Sequence, residues 1–243
     1  MDEHDRVGAR HAIEGRDPAE LRSYGRRRGR KLSPRQERLM RETLPRVSPR
    51  LDGTPLASVT DLFSPTVADV WLEIGFGGGE HLLWQAIRFP EVGLIGAEPF
   101  EDGVVKVLAA IEDAGHANIR VHADDARDLL RRLPPASLGR VFILFPDPWP
   151  KRRHAKRRLV NVGLLALLAR VMRAGAELRI ATDIGDYVRT ILMALQASDA
   201  FTWTATAPSD WRQRPADWPP TRYEAKAFRE GRRCSFLRFV RRA

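Results

Sequence analysis

Residues 141–158 read VFILFPDPWPKRRHAKRR, and the interpretation of the whole chain starts from them. The apolar run that opens this stretch predicts a buried β-strand, which must end at Pro146 because proline has no N–H to donate to a sheet. Pro146 and Pro148 fix their own φ angles and restrict the residues before them, so the backbone of Asp147 has little freedom. A rigidly held carboxylate therefore follows directly on a buried strand.

An aromatic side chain and six cations follow this carboxylate. Trp149 comes first, and the cations are Lys151, Arg152, Arg153, Lys156, Arg157 and Arg158. An acid beside an aromatic ring and many cations is typical of a site that acts on a base held by its phosphates. The alternative interpretation is a proline-rich loop followed by a solvated run of charge.

The composition indicates one α/β domain with an appendage. A chain of 243 residues can bury a substantial core. It has no run of about 18 apolar residues and its N-terminus is too polar for a secretory signal, so we expect a cytoplasmic protein. Cys234 is the single cysteine and the six histidines lack ligand spacing, so neither a disulfide framework nor a metal site is expected.

The net charge of +10 is unevenly distributed. Residues 22–50 carry +9 and residues 151–158 carry +6, so the rest of the chain is acidic, at −5. Two basic patches on an acidic body are typical of a nucleic-acid-binding protein. An anionic membrane surface would fit the charge equally well, but the chain lacks the amphipathic apolar face that membrane binding needs.

The N-terminal fifth of the chain, residues 1–50, is interpreted in two segments. Residues 1–21 are polar and aperiodic, and we expect them to be disordered. Residues 22–50 form a basic arm, in which Ser33 and Pro34 predict a helix start and the helix extends to about Thr43. Tyr24 and the arginines suit stacking and phosphate contact, so we interpret the arm as RNA-contacting; a flexible cationic tail is the alternative. The catalytic domain would then comprise residues 51–243.

Strands and helices alternate from about Val70 onward. The predicted strands are VWLEI, VGLIGAE, NIRVHA, VFILF and ELRIAT, and the predicted helices are EHLLWQAIRF, VVKVLAAIEDAG, ARDLLRRL, LVNVGLLALLARVM capped by Gly175, and residues 187–196. Two later strands, FTWTAT and SFLRFV, predict an antiparallel pair at one edge. The pattern predicts an α/β fold: a doubly wound, mostly parallel, seven-stranded sheet with an antiparallel C-terminal strand pair and a basic N-terminal arm.

Acidic residues stand at the carboxyl end of each of the five parallel strands, where ligands bind in open α/β sheets. They are Glu73, Glu98, Asp124 or Asp125, Asp147 and Asp183. Aspartate after a strand is also an ordinary helix N-cap, so Asp125 and Asp183 have a structural alternative. Glutamate is a poorer cap, which favours ligand contact for Glu73 and Glu98.

A glycine-rich turn follows the first strand, with Gly75 and Gly77 placed to let a ligand approach the backbone. Its spacing departs from G-x-G-x-x-G because Glu80 stands at the last position. Glu73 and Glu80 on either side of the turn would repel a pyrophosphate, because no group nearby in the sequence offsets them. They would suit a ligand with an ammonium and a sulfonium. This charge favours S-adenosylmethionine over a dinucleotide, and Glu98 is spaced to bind ribose hydroxyls in either case.

These motifs resemble those of the bacterial tRNA (guanine-N7)-methyltransferase family, of the Rossmann-like class I S-adenosylmethionine-dependent fold. The resemblance covers residue 22 to the C-terminus and is carried by LEIGFGGGEH, FPDPW with its HAKRR tail, ATD and TRYE. It implies a cytoplasmic enzyme, monomer or homodimer, that methylates N7 of a guanine in tRNA. TRYE replaces the more usual Thr-Lys-Phe-Glu, and Pro150 stands where histidine is common.

The resemblance also implies roles for individual residues. The cofactor-binding positions are Glu73, Gly75, Gly77, Glu98, Asp125 and Asp147, and Asp147 is also the catalytic residue. The substrate-binding positions are Lys151, Asp183, Thr221, Arg222, Tyr223 and Glu224. The RNA-contacting positions are Arg153, His154, Lys156, Arg157 and Arg158. Thr221 and Glu224 also have the spacing of a helix capping box.

Guanine N7 has a lone pair and no proton to lose, so methyl transfer to it needs alignment rather than a strong base. We expect Asp147 to accept hydrogen bonds from the guanine and to offset the charge that develops on its ring. Trp149 either stacks on the base or packs in the fold. Two rival hypotheses are an adenine-amine methyltransferase, because Asp-Pro-Trp resembles Asp-Pro-Pro-Tyr, and an RNA-binding protein without turnover.

Overall fold

The computed structural model describes residues 27–49 and 58–243. The strands within these residues are β1 (Asp69–Ile74), β2 (Val92–Ala97), β3 (Ile119–His122), β4 (Leu138–Leu144), β5 (Met172–Thr182), β6 (Phe201–Trp203) and β7 (Ser235–Arg241). The α-helices are α1 (Pro34–Arg38), α2 (Leu44–Val47), α3 (Glu80–Arg88), α4 (Glu101–Ala114), α5 (Ala126–Arg132), α6 (Val162–Val171), α7 (Gly185–Gln196), α8 (Ser209–Arg212) and α9 (Arg222–Arg229). A π-helical turn (Leu39–Thr43) joins α1 to α2, and 3₁₀ helices cover Val59–Leu62 and Arg152–Arg157.

The strands form one seven-stranded sheet in the order β3-β2-β1-β4-β5-β7-β6. The first five strands pair in parallel, and β7 pairs antiparallel with both β5 and β6. All six residues of β2 are buried, as expected for a strand covered on both faces. The two hydrophobic clusters of the core occupy opposite faces of the sheet. The predicted fold class is confirmed, including the antiparallel C-terminal pair.

The helix predicted before β5 has the wrong boundaries. The helix predicted for residues 159–172 with a Gly175 cap starts at Val162, where the Asn161 side chain accepts a hydrogen bond from the Leu164 N–H. The helix ends at Val171 and β5 begins at the next residue, so Gly175 lies inside β5 with a φ of +79°. The pairing of β4 with β5 shifts register near this glycine. The positive φ at such an irregularity is a conformation that only glycine adopts at little cost.

The described part of the basic arm packs against the domain. Its helix begins at Ser33, which forms a capping box with Gln36, and helical structure continues to Val47, four residues beyond the predicted end. Leu39 is fully buried in the same cluster as α4. Tyr24, the proposed extension over residues 1–21 and the arm–domain boundary at 50/51 lie outside the described residues.

Two further observations concern the described residues only. None of their helices combines the length and the apolar character that crossing a bilayer requires. They also contain no group of three or more His, Cys, Asp and Glu side chains arranged to hold a metal ion.

Candidate active site

A cavity of about 470 Å³ lies at the carboxyl ends of the first four parallel strands. Its walls come from the loops that follow β1, β2, β3 and β4, and from the start of α9. The predicted site residues in its lining are Gly75, Gly77, Glu98, Asp125, Asp147, Trp149, Arg157, Arg222 and Tyr223. The edge at which these loops meet is the ligand-binding edge of a doubly wound sheet.

The glycine turn after β1 forms one wall. Gly75 has a φ of +75°, and a Cβ added there would meet no atom within 4 Å, so the turn opens onto free space. A Cβ on Gly103, in the first turn of α4, would lie 2.2 Å from the Gly77 carbonyl oxygen. Gly103 therefore allows α4 to approach the turn, and sequence reasoning missed it, because a glycine early in a helix has no distinctive pattern.

Glu98, at the end of β2, holds the glycine turn and faces the cavity. Its two carboxylate oxygens accept hydrogen bonds from the Gly77 N–H at 2.8 Å and the Phe100 N–H at 2.9 Å. Burial raises the pKa of this carboxyl group, and the two backbone hydrogen bonds oppose the rise. A carboxylate with lone pairs still available in a cavity can bind ligand hydroxyls.

Glu73, predicted to bind the cofactor, lies behind the cavity wall. It is 2% exposed, and its carboxylate lies 2.8 Å from the Nδ1 of His81. The other ring nitrogen of His81 lies 3.0 Å from the Gln85 amide nitrogen, which fits an imidazole with its proton on Nδ1. The side chain of Glu73 anchors α3 beneath the glycine turn, and it does not line the cavity. The strand-end pattern could not reveal this, because the side chain of Glu73 points to the covered face of β1.

The two acids after β3 have different surroundings. Asp125 lines the cavity and caps α5, accepting hydrogen bonds from the Arg127 N–H at 2.9 Å and from the Arg127 guanidinium at 2.7 Å. Asp124 accepts a hydrogen bond of 2.6 Å from Arg27 of the arm. Both roles predicted for Asp125, helix cap and cavity residue, are therefore present in one side chain.

The FPDPW loop after β4 presents Asp147 to the cavity. The residues on either side of the Pro-Asp-Pro sequence have positive φ angles, +51° at Phe145 and +42° at Trp149, which are rare outside glycine. Asp147 is exposed, and within residues 27–49 and 58–243 its carboxylate makes no hydrogen bond or ion pair. This strained loop thus holds an available acid beside Glu98.

Trp149 lines the cavity and also contacts its own basic segment. The Arg157 guanidinium lies 5.0 Å from the centre of the Trp149 ring, and His154 packs edge-on at 5.9 Å. Stacking on the base and packing in the fold are therefore compatible roles for Trp149. One face of its ring packs against the protein while the side chain still borders the cavity.

The basic segment divides into exposed and buried cations. Lys151, Arg153 and Lys156 are exposed, as an RNA-contacting role requires. Arg158, which is also predicted to contact RNA, is only 3% exposed. A charge run gives no sign of which member turns inward, and only the packing of the segment on α7 separates Arg158 from its neighbours.

The remaining predicted substrate residues also separate into two groups: those that lie away from the cavity and those that line it. Asp183 is held by the Arg232 guanidinium at 2.6 Å, and Glu224, 5% exposed, by Arg214 at 3.1 Å. Neither acid lines the cavity. Thr221 caps α9 by accepting a hydrogen bond from the Glu224 N–H, so half of the predicted capping box is present.

Arg222 and Tyr223 close the cavity from the side of α9. The Tyr223 ring stacks on Phe145 with centroids 6.1 Å apart, and the Arg222 guanidinium lies 3.4 Å from the Glu80 carboxylate. This ion pair overturns one step of the sequence argument, in which no group offset the acids beside the glycine turn. The acids of the described residues that line the cavity are Glu98, Asp102, Asp125 and Asp147.

The fold and this cavity define a methyltransferase. A solved structure of the 16S rRNA methyltransferase KamB has the same fold, with a TM-score of 0.52 and 17% identity over 73% of this chain and 89% of that one. Residues 67–237 match the model of a family described as "Putative methyltransferase".

Relatives identify the particular family. The tRNA (guanine-N(7)-)-methyltransferase of Rhodospirillum rubrum is 50% identical over 92% of this chain and 89% of its own length. That of Ruegeria sp. is 50% identical over 90% and 87%, and that of Mesorhizobium japonicum 48% identical over 90% and 94%. The chain belongs to the tRNA (guanine-N(7)-)-methyltransferase family.

Proposed function

We propose that this protein transfers a methyl group from S-adenosylmethionine to N7 of a guanine in tRNA, giving 7-methylguanosine and S-adenosylhomocysteine. The observation that carries the proposal is the available Asp147 carboxylate on a strained loop, at the wall of a cavity that also contains Glu98. The family resemblance adds that the target is the guanine of the tRNA variable loop. Relatives named tRNA (guanine-N(7)-)-methyltransferase match this chain over about nine-tenths of its length.

The cavity fits the methyl donor. Glu98 would accept hydrogen bonds from ribose hydroxyls, the open turn at Gly75 and Gly77 would admit the donor's amino-acid part, and Asp125 would lie at the base-binding end. When bound, S-adenosylmethionine supplies an electrophilic methyl group on a positively charged sulfur. The negative charges of Glu98 and Asp147 suit that cation.

Asp147 is the proposed catalytic residue. The guanine N1 and N2 groups are donors, and the Asp147 carboxylate, which no group of the described residues occupies, can accept from both. Those hydrogen bonds orient N7, and the negative charge offsets the positive charge that forms on the purine. The remainder of the rate enhancement comes from aligning the reacting atoms.

The basic segment would bring the tRNA to the cavity. Lys151, Arg153, His154, Lys156 and Arg157 lie on the segment that leaves the FPDPW loop, so phosphates bound there place a flipped base near Asp147. The predicted substrate roles of Lys151, Asp183 and residues 221–224 belong to the same proposal. Of these residues, Arg222 and Tyr223 border the cavity directly.

Incubation of unmodified bulk tRNA with labelled S-adenosylmethionine, followed by nucleoside analysis, tests the proposal. The expected product is 7-methylguanosine. Methylated adenosine would instead support the adenine-amine hypothesis, and retention of tRNA without methyl incorporation would support a binding protein without turnover.

We further propose that the protein acts in the cytoplasm, as a monomer or homodimer. A tRNA substrate and the absence of a membrane-spanning helix among the described residues support the first statement. Sedimentation of the purified protein with and without tRNA would determine the second.

A further inference from the structure

Arg158 is the buried member of an otherwise exposed basic segment. Its Nε donates a hydrogen bond of 3.0 Å to the carbonyl oxygen of Pro148, within the FPDPW loop. Its terminal nitrogens donate to α7, at the Asp186 backbone carbonyl (3.3 Å), the Asp186 carboxylate and the Thr190 hydroxyl. A single side chain therefore joins the loop that carries Asp147 to a helix of the domain.

The aromatic ring of Tyr187 supports the guanidinium of Arg158. The centre of the ring lies 5.1 Å from the guanidinium carbon. The Tyr187 hydroxyl accepts a hydrogen bond of 3.1 Å from the Val160 N–H, so the chain just beyond Arg158 is also fixed to α7. Since Tyr187 is itself fully buried, the attachment point is part of the core.

The loop needs such an attachment because its own backbone does not favour the observed conformation. Phe145 and Trp149 both have positive φ angles, and non-glycine residues keep such angles only where the surroundings enforce them. The carbonyl bound by Arg158 belongs to the residue directly after Asp147. Releasing it would let the loop relax toward ordinary φ values and would move the carboxylate.

We propose that Arg158 is a positioning residue, which holds the FPDPW loop so that Asp147 faces the cavity, and that it makes no contact with RNA. The inference rests on the proposed function, because it assigns to Arg158 the geometry that the proposed methyl transfer uses. Lysine keeps the charge, but it lacks the planar guanidinium with which Arg158 binds Pro148 and α7 at the same time. Arg158→Lys is therefore an informative variant.

The experiment compares Arg158→Lys with Arg153→Gln, which removes an exposed cation of the same segment. For each variant, kcat is measured at saturating tRNA and S-adenosylmethionine, and the tRNA Kd is measured over a range of salt concentrations. Arg158→Lys should lower kcat by about 10-fold to 100-fold and leave the tRNA Kd within about twofold, because a small misplacement slows chemistry without removing a phosphate contact. Arg153→Gln should weaken tRNA binding and reduce its salt dependence.

Two further variants separate positioning from general loss of stability. Thr190→Val removes one acceptor of Arg158 at the surface of α7 and should lower kcat about two- to fivefold with the fold intact. Ile191→Val, a buried change in the same helix, should lower Tm but leave kcat unchanged well below the midpoint. If Arg158→Lys does not fold, the comparison of kcat between Thr190→Val and Ile191→Val tests the positioning role of Arg158.

The proposal is overturned if Arg158→Lys retains wild-type kcat, if it weakens tRNA binding and the salt dependence as Arg153→Gln does, or if Thr190→Val behaves like Ile191→Val. The nucleoside formed by the wild-type protein tests the proposed function separately. If that nucleoside is not 7-methylguanosine, the proposed function fails, whereas the ratio of variant to wild-type kcat still tests Arg158.

Discussion

The two basic regions of this molecule have similar composition, but their cations have different surroundings. Those of the arm pair with acids of the domain, and those after the FPDPW loop are exposed to solvent. In the described arm, Arg38 makes a bidentate contact with Glu112 of α4, and Arg35 pairs with Asp113. In the segment after the FPDPW loop, Lys151, Arg153 and Lys156 point to solvent without an acidic partner among the described residues. Part of the acidic character of the body thus neutralises the arm, so counting charges alone overstates how much of the arm is available to RNA.

The two regions also lie at different parts of the sheet edge that carries the cavity. The arm reaches the side of β2 and β3, where the Glu101 N–H donates to the Arg27 carbonyl and Arg27 binds Asp124. The basic segment extends from the side of β4, which carries Asp147. We therefore expect changes on the β4 side to alter the chemical step, and changes on the arm side to alter stability and cofactor affinity.

The largest expected effect is that of Asp147→Ala. Removing the acid that we propose stabilises the developing charge should reduce kcat by about 10³-fold. The tRNA Kd should stay near wild type, because the neighbouring cations remain. Single-turnover methylation and filter binding measure the two quantities, and Asp199→Ala, at another exposed aspartate, is the control. Substantial residual activity would show that the loop does not carry the chemistry.

The next effect tests whether the arm belongs to the fold. Leu39 is fully buried beside α4, so Leu39→Ala should reduce the free energy of unfolding by about 2–5 kcal/mol. Denaturant titration measures this change. Exposed Met193→Ala on α7 provides a control with little expected effect. A Leu39→Ala protein of wild-type stability would mean that the arm is a detachable tail.

Cofactor affinity should depend on pH through Glu98. Since burial raises the pKa of this carboxyl group, it takes up a proton at a higher pH than an ordinary glutamate, and the protonated acid no longer accepts from two ribose hydroxyls. Affinity for S-adenosylhomocysteine should therefore fall on acidification, and the fall should begin at a higher pH than an ordinary glutamate would cause. Glu98→Gln should weaken binding about tenfold or more and flatten this pH profile. Isothermal titration at several pH values checks both statements, and an unchanged profile in the variant would assign the titration to another group.

The same pKa shift has a consequence for stability. A carboxyl group whose pKa is raised in the folded state stabilises the fold most when it is protonated, and this contribution is lost as pH rises through the raised pKa. On acidification, Glu98 thus increases the stability of the ligand-free protein but decreases the affinity of the protein for its ligand. The two trends have opposite signs, which distinguishes this site from general acid unfolding.

The smallest expected effect compares the two basic regions directly. Arg153→Gln with Lys156→Gln should weaken tRNA binding several-fold and lower the salt slope by about two. Arg35→Gln with Arg38→Gln should leave the salt slope near wild type, because those guanidinium groups already face acids of α4. Equal losses in the two double variants would contradict the comparison.

Much of the fold could be predicted because its signals are local. Buried apolar runs separated by helical periods define a parallel sheet, and the prolines around Asp147 define the end of β4. The start of α6 was misplaced because LVN is apolar enough to extend a helix, while the Asn161 cap and the attachment of Arg158 to α7 act against it. Local pattern carries no information about such long-range contacts.

The candidate site was predictable in position but not in detail. An acid at a strand end can face the cavity, as Glu98 does, or face away from it, as Glu73 does. The ion pair of Arg222 with Glu80 and the inward turn of Arg158 depend on segments far apart in sequence. These pairings decide which charges reach a ligand, and they follow only from the folded structure.

The order of the strands has a consequence for how the sheet and the cavity are completed. β6 precedes β7 in the chain but lies outside it in the sheet, and Arg222 and Tyr223 complete the cavity from a helix close to the C-terminus. β6 therefore has no neighbouring strand until β7, which follows it in the chain, has paired with β5. The cavity wall that Arg222 and Tyr223 provide also follows all five parallel strands in the sequence, so the first five strands alone do not form the complete cavity.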